Sequence, residues 1–273
     1  MRVTPLVHQL SWSYRTVEWS PKLLTVHSEI SASHFVFPDL PNVHEYSDQE
    51  RKNYFNAIPP SQRIQTIAAC NHDEKSLGQL VIEAGKLLVV GGHDKNCLLD
   101  NKKNSNSNAN KKGSSSCCAL STTDAVQILR QRDDTKTKEI WGVANPNNIN
   151  SIESVNEKIA AGITGFITQP LLSSHALDIM KAYPREANAA YIAGVAMPSS
   201  NKSLKFWSKL LEQPELETDA LFKSHMAFFQ NPYFSSMAWI IREVQNLEAY
   251  ATIDGIHFMP MKNTNDLLDL LRK

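Results

Sequence analysis

Eight polar or charged residues in this chain stand just beyond short apolar or β-branched runs: Glu18, Asp39, Asn71, Asp94, Asn145, Gln169, Asn201 and Lys262. A carboxylate in such a place can hold or deliver a proton, and an amide can grip the hydrogen-bonding edge of a flat ligand. Glu18 lies between Val17 and Trp19 and just before Pro21, so apolar walls are expected to raise its proton affinity and suit it to general acid work. Asp94 follows Leu87-Leu88-Val89-Val90-Gly91-Gly92-His93, where the glycines would let a flat ring approach the backbone closely. Taken singly, each residue has a plainer reading, a carboxylate capping the next helix or an amide closing a turn. The set persuades more than its members.

Metal chemistry finds little support. His93 has no second His or Cys at ligand spacing beside it, so a hydrogen-bonding histidine is the better reading. The four cysteines, Cys70, Cys97, Cys117 and Cys118, lack the paired spacing of a zinc site and are too few for a disulfide framework in a chain of 273 residues. Their use points to a reducing, cytoplasmic setting. The first 17 residues, with Arg2, Arg15 and no acid before Glu18, loosely resemble a mitochondrial presequence, but Arg15 already leads into a strand, which favours a segment closing the bottom of the fold.

The elements that must position these residues follow from periodicity. Candidate strands cover 16–19, 34–37, 63–69, 87–91, 140–144, 166–168, 191–196 and 255–259, and their near-continuous apolar character suits strands buried on both faces. Helical spacing fills the gaps. Residues 73–84 place Leu77, Leu80, Val81 and Ala84 on one stripe, 122–131 does the same with Val126 and Leu129, 21–32 supplies a first helix, and 265–271 closes the chain. Ser121, Ser151 and Ser200 are the expected N-caps. Strands alternating with helices argue for an α/β fold with a parallel sheet, and eight such units close a single (β/α)8 TIM barrel spanning residues 1–273. An open doubly wound sheet would usually carry a glycine-rich dinucleotide turn after its first strand, and Gly91-Gly92 is too short for one. The Asn/Lys/Ser-rich stretch 101–116 has nothing to bury and reads as a disordered insertion after strand 4, on the face where function collects.

Composition narrows the partners. Lys plus Arg and Asp plus Glu each total 28, so no net field attracts nucleic acid or an acidic membrane surface. No apolar run approaches the roughly 18 residues needed to cross a bilayer. Phe206, Trp207, Trp239 and Ile240 are candidates for an outer surface through which barrels of this kind form homo-oligomers, or for internal packing. Phe228 to Ser236 echoes Phe166 to Ser174 in its Phe, Pro and Ser-Ser offsets, and chance explains a single echo.

The strand ends resemble the methylenetetrahydrofolate reductase family. The specific pieces are Phe166-Ile167-Thr168-Gln169-Pro170, Ala193-Gly194-Val195-Ala196-Met197-Pro198-Ser199-Ser200-Asn201 and Gly255-Ile256-His257-Phe258, with weaker support from Val17-Glu18-Trp19-Ser20-Pro21 and Phe37-Pro38-Asp39-Leu40-Pro41. The resemblance implies a flavoprotein oxidoreductase of one-carbon metabolism and methionine biosynthesis, in which FAD takes a hydride from NAD(P)H and passes it to 5,10-methylenetetrahydrofolate, giving 5-methyltetrahydrofolate. It implies that Glu18 protonates the folate nitrogen, with Glu29 a rival, that Asp94 faces the pterin and tunes the flavin, and that Gln169, Asn201 and Asp39 bind substrate. Lys158, Asn145 and Cys70, together with Asp94, would face the flavin.

Two strand ends depart from the family pattern. Ile67-Ala68-Ala69-Cys70 stands where the family has His-Leu-Thr-Cys, and Ala144-Asn145-Pro146-Asn147-Asn148 where it has Tyr-Pro-Glu and a following histidine. Each lost polar contact to a bound cofactor costs roughly 0.5 to 1.5 kcal/mol, enough in sum to weaken flavin binding by orders of magnitude. The alternatives are therefore a barrel that has lost flavin and binds folate, and a non-catalytic interaction protein.

Overall fold

Short apolar runs separated by helices pair here as eight parallel strands, each hydrogen-bonded to the next and the last to the first, so the sheet closes into a barrel. The computed structural model describes residues 13–38, 46–91, 120–185, 188–211, 213–231, 235–248, 253–260 and 264–271. The strands are β1 (Tyr14–Glu18), β2 (His34–Phe37), β3 (Arg63–Ala68), β4 (Lys86–Val90), β5 (Glu139–Ala144), β6 (Gly165–Pro170), β7 (Ala190–Ala196) and β8 (Gly255–Met259). All eight expected strands are present. Closure runs through the β1–β8 pair, which sets Thr16 opposite His257 and Val17 opposite Phe258.

Alternation along each strand sends side chains to two different cores. Val17, Phe35, Phe37, Leu87, Val89, Phe166, Tyr191, Ile256 and Phe258 point outward into the layer beneath the helices. Val36, Ile64, Leu88, Trp141, Ile167 and Ile192 point inward and fill the barrel. The first residues of four strands form the floor. Lys86 pairs with Glu139, and its ammonium lies 5.6 Å from the Tyr14 ring centre and 5.3 Å from that of Trp141. The Trp141 indole in turn donates to Glu139 at 3.1 Å. His34 sits beside this group, and burial followed by the Lys86 charge pushes its pKa down to about 4.

The helices are α1 (Asp48–Ala57), α2 (Glu74–Gly78), α3 (Thr122–Gln131), α4 (Ser151–Ala160), α5 (Ser174–Lys181), α6 (Asn201–Leu210), α7 (Ala220–Phe228), α8 (Ser236–Glu248) and α9 (Thr264–Leu271). Ser121 and Ser200 cap α3 and α6 as expected, each accepting from the amide three residues on. Ser151 does not cap. It is the first residue of α4, and its hydroxyl bonds to that of Tyr183 at 2.6 Å.

Two other expectations are corrected. The stripe expected over 73–84 is helical only to Gly78, because distant side chains take over the backbone groups that a longer helix would pair. Arg132 donates to the carbonyls of Leu77 and Leu80, and the Gln65 amide bonds Val81 and Glu83. Residues 21–32 hold no α-helix, only two 3-10 turns, Pro21–Leu23 and His27–Glu29, between which His27 Nδ1 lies 3.0 Å from the Leu24 carbonyl.

The β7 to β8 connection carries more than a single crossover helix. Helix α8 packs on β7, while α6, a 3-10 turn (Pro214–Thr218) and α7 make an excursion along the rim. Gln213 Nε2 donates to the Asn147 carbonyl at 3.1 Å, and the Asp219 carboxylate accepts from the Ser174 amide at 3.3 Å while capping α7. The excursion is thereby tied to the loop after β5 and the helix after β6. Of the expected outer residues, Trp207, Trp239 and Ile240 are buried and only Phe206 is exposed.

Between α7 and α8, His225 Nδ1 accepts from Trp239 at 3.3 Å and from Arg242 at 3.2 Å, which makes it a neutral Nε2–H imidazole. Burial pushes its pKa down to about 4 and that of the neighbouring Glu243 up to about 7. Although 3.6 Å apart, the two are both uncharged between those values and form no ion pair there. The residues of the echoed Phe-Pro-Ser-Ser pattern begin in strand β6 in one copy and at the end of helix α7 in the other, so the echo has no structural counterpart.

Candidate functional site

The C-terminal ends of the strands form the open mouth of a β/α barrel, and the side chains that face inward there are set by the strand pleat. Glu18 ends β1 on the same face as Thr16, so it stands at the mouth directly above the interior. Beneath it Thr16 Oγ1 lies 2.8 Å from His257 Nδ1 and 3.4 Å from the Ile256 carbonyl. A hydroxyl has one hydrogen. It serves one of these two contacts, so the direction of the bond to His257 follows the imidazole tautomer. Burial pushes the His257 pKa down to about 3.

Gln169 owes its position to an irregularity. The β6–β7 register shifts between Ile167 and Pro170, and Thr168 Oγ1 accepts from the Gly194 amide at 2.9 Å in place of a backbone carbonyl. A bulge at a strand end re-aims the residue it displaces, here Gln169. Gly194 is required at this spot, since a Cβ there would lie 2.3 Å from the Thr168 carbonyl oxygen.

Several polar atoms at or near these ends are buried without a hydrogen-bond partner among the described residues: Thr66 Oγ1 on β3, both carboxamide atoms of Asn147 after β5, Gln169 Oε1 on β6 and Asn201 Oδ1 after β7. Natural proteins pair the great majority of such atoms, and each one left over costs about 1–3 kcal/mol. Three of these residues follow or end consecutive strands, β5, β6 and β7. Thr66 and Asn147 were not singled out from sequence. Thr66 lies inside a strand, and Asn147 is one of four asparagines within six residues, so neither composition nor spacing marks it.

The residues expected to face a flavin are engaged otherwise. Lys158 Nζ donates to the Val143 carbonyl at 2.7 Å, inside the barrel wall, and burial lowers its pKa. Asn145 Oδ1 accepts from the Asn147 amide at 3.1 Å, and Cys70 Sγ lies 3.6 Å from Asn71 Oδ1. Ala68 and Ala69 bring only methyl groups to the end of β3, and both are fully buried. Each of these described contacts is made within the protein itself. Asp39, Asp94, His93, Lys262 and the stretch 101–116 lie outside the described residues. Among the described residues no three His, Cys, Asp or Glu gather as a metal-binding group, and no helix is long and apolar enough to cross a membrane.

No protein-family model matches the chain, and no curated protein matches it. Among solved structures, it is similar to an uncharacterized protein from Clostridium thermocellum that binds two copies of 5-methyl-5,6,7,8-tetrahydrofolic acid, with a TM-score of 0.57 and 16% identity over 94% of this chain and 92% of that one. At that identity the likeness shows the fold alone. A tryptophan synthase from M. tuberculosis, in an aminoacrylate- and BRD0059-bound form, matches at a TM-score of 0.30 and 16% identity over 76% of this chain and 86% of that one, too low to carry an argument.

Proposed function

We propose that this barrel binds a reduced folate at its C-terminal mouth. The observation that carries the reading is a pair of carboxamides beyond neighbouring strands: Gln169 and Asn201 each leave a buried oxygen without a partner among the described residues. A pterin presents several N–H groups along its edge, at the 2-amino group, N3 and N8, and so supplies what these oxygens lack. The Clostridium thermocellum barrel, which binds 5-methyl-5,6,7,8-tetrahydrofolic acid, adds support from a protein of the same fold.

A finer reading makes the chain a methylenetetrahydrofolate reductase-like enzyme, and Glu18 favours it. A binding protein has no need of an acid at the mouth, whereas opening the five-membered ring of methylene-folate requires a proton at its nitrogen. In that reading FAD and NAD(P)H supply the hydride, and this chain's own contribution is to hold the pterin through Gln169 and Asn201 and present the Glu18 proton.

Calorimetric titration of the purified protein with 5-methyltetrahydrofolate tests the first reading. Saturable binding at one or two sites is expected, and its absence would sink the proposal. The visible spectrum of the same preparation separates the second reading from it. Stoichiometric flavin supports an oxidoreductase, while a colourless protein that takes up no added FAD leaves a folate binder.

A further inference from the structure

Helix α6 starts just after β7 ends, with four residues between Ala196 and Asn201. Its far end is fixed too. Gln213 exchanges hydrogen bonds with Ser208 in the last turn, at 3.2 Å each, and its side chain donates to the Asn147 carbonyl in the loop after β5. The helix therefore bridges the ends of β7 and β5 along the rim, past the end of β6 that lies between them in the barrel. Leu204, Trp207 and Ser208 form its buried face. A turn of about 100° per residue gathers Lys202, Lys205, Phe206, Lys209 and Leu210 on the opposite face, and all five are exposed. Residues 201–211 contain these three lysines and no acid. Lys205 approaches Glu217 only at 4.0 Å, and with both side chains about half exposed the pair neutralises little. Phe206 and Leu210, one turn apart, are 47% and 54% exposed.

Resting on the folate reading, we infer that this exposed face of α6 holds the tail of the folate, and that the chain binds folates carrying several γ-linked glutamates more tightly than those carrying one. A pterin seated at the mouth must send its p-aminobenzoyl group and glutamate outward across the rim, since the barrel interior below is filled by side chains. The face has the two chemistries such a tail needs. Phe206 and Leu210 offer an apolar edge to the benzoyl ring, and the lysines beside them offer cations to the carboxylates. Each added γ-linked glutamate brings one more carboxylate. Lys202, Lys205 and Lys209 follow one another at about 4.5 and 6 Å along the helix axis, on flexible stems that adapt to the spacing of a chain of anions. Charge is what selects this occupant. The whole chain is balanced at 28 cationic and 28 anionic side chains, so a row of three lysines beside the mouth is a local feature, suited to a ligand that carries its charge at one end.

The test compares tails. Dissociation constants of 5-methyltetrahydrofolate bearing one and five glutamates are measured on the wild-type chain, on the triple variant Lys202→Gln, Lys205→Gln, Lys209→Gln, and on the same three positions changed to Arg. All three positions are exposed, so the substitutions spare the core, and the ratio of the two constants is internal to each protein. In the wild type the longer tail is expected to bind about tenfold more tightly at low ionic strength, with the ratio shrinking as salt is added. The glutamine variant should bring the ratio close to one, and the arginine variant should keep it. Lys181→Gln, an exposed lysine on α5, should leave it unchanged. A wild-type chain that binds both ligands equally, or a ratio that the glutamine variant leaves intact or Lys181→Gln lowers as much, overturns this inference and leaves the folate reading standing. Co-sedimentation with phosphatidylserine vesicles that the glutamine variant loses, alongside equal binding of the two tails, would overturn it in favour of a membrane surface. A wild-type chain that binds neither folate overturns both readings.

Discussion

The Thr168 hydroxyl accepts the amide hydrogen of Gly194 at 2.9 Å, so a side chain does the work of a ladder carbonyl where β6 leaves its register with β7. Thr168→Val keeps the shape and strands a buried N–H, which is expected to cost about 1–3 kcal/mol in urea unfolding. Gly194→Ala is expected to cost more, because its Cβ would meet the Thr168 carbonyl oxygen at 2.3 Å and backbone cannot yield as a side chain does. Equal stability of both variants and the wild type would show that the bulge is held some other way.

Acid should unfold this protein early. The pKa values of His257 and His225 are pushed down by burial, to about 3 and about 4, so their stabilisation is complete above the ordinary value of 6.5 and is lost as pH falls toward those figures. Glu243 works in the other sense. Raised from 4.5 to about 7, it stabilises fully below 4.5 and loses that contribution as pH rises. Two histidines against one carboxyl leave a net difference of about one proton between the unfolded and folded chain from pH 5 to 6, and stability should climb by about 1.4 kcal/mol per pH unit there. His34 acts in the same direction but is more open to solvent, so it adds less. Urea midpoints that stay flat across that window would contradict the assignment of neutral buried histidines.

At the floor, Lys86 is the second cause of the low His34 pKa, after burial. Lys86→Met removes the charge while keeping length and apolar stem. The His34 titration, followed by NMR, should move up from about 4 without reaching 6.5, since burial persists. An unmoved titration would mean that the lysine charge is screened from the ring.

At the mouth, Gln169→Leu should weaken 5-methyltetrahydrofolate by about tenfold, the loss of one buried hydrogen bond. Glu18→Gln keeps shape and hydrogen-bonding reach but removes the proton, so folate affinity should change little. If the chain is a reductase, turnover should fall by roughly a hundredfold or more. Turnover that survives Glu18→Gln with its pH profile intact would direct attention to Glu29.

The eight strands were legible because a strand buried on both faces writes itself as a continuous apolar run, and β2 and β8 agree with the sequence reading to the residue. The helix expected over 73–84 misled for a reason no local window contains. Arg132 and Gln65, distant in sequence, satisfy carbonyls and amides that would otherwise have demanded helix, and Val81 from the expected apolar stripe is exposed instead. Glu18 and Gln169 could be read at strand ends because pleat and barrel direction place them. The unpaired state of Thr66 and Asn147 could not be read, since being unpaired is a property of surroundings rather than of residue type.

Lys86, held by Glu139 and flanked by the rings of Tyr14 and Trp141, closes the lower end of the barrel. With the side chains packed above it the interior is sealed from that side, so any small molecule can approach the strands only from the end where they run out into loops.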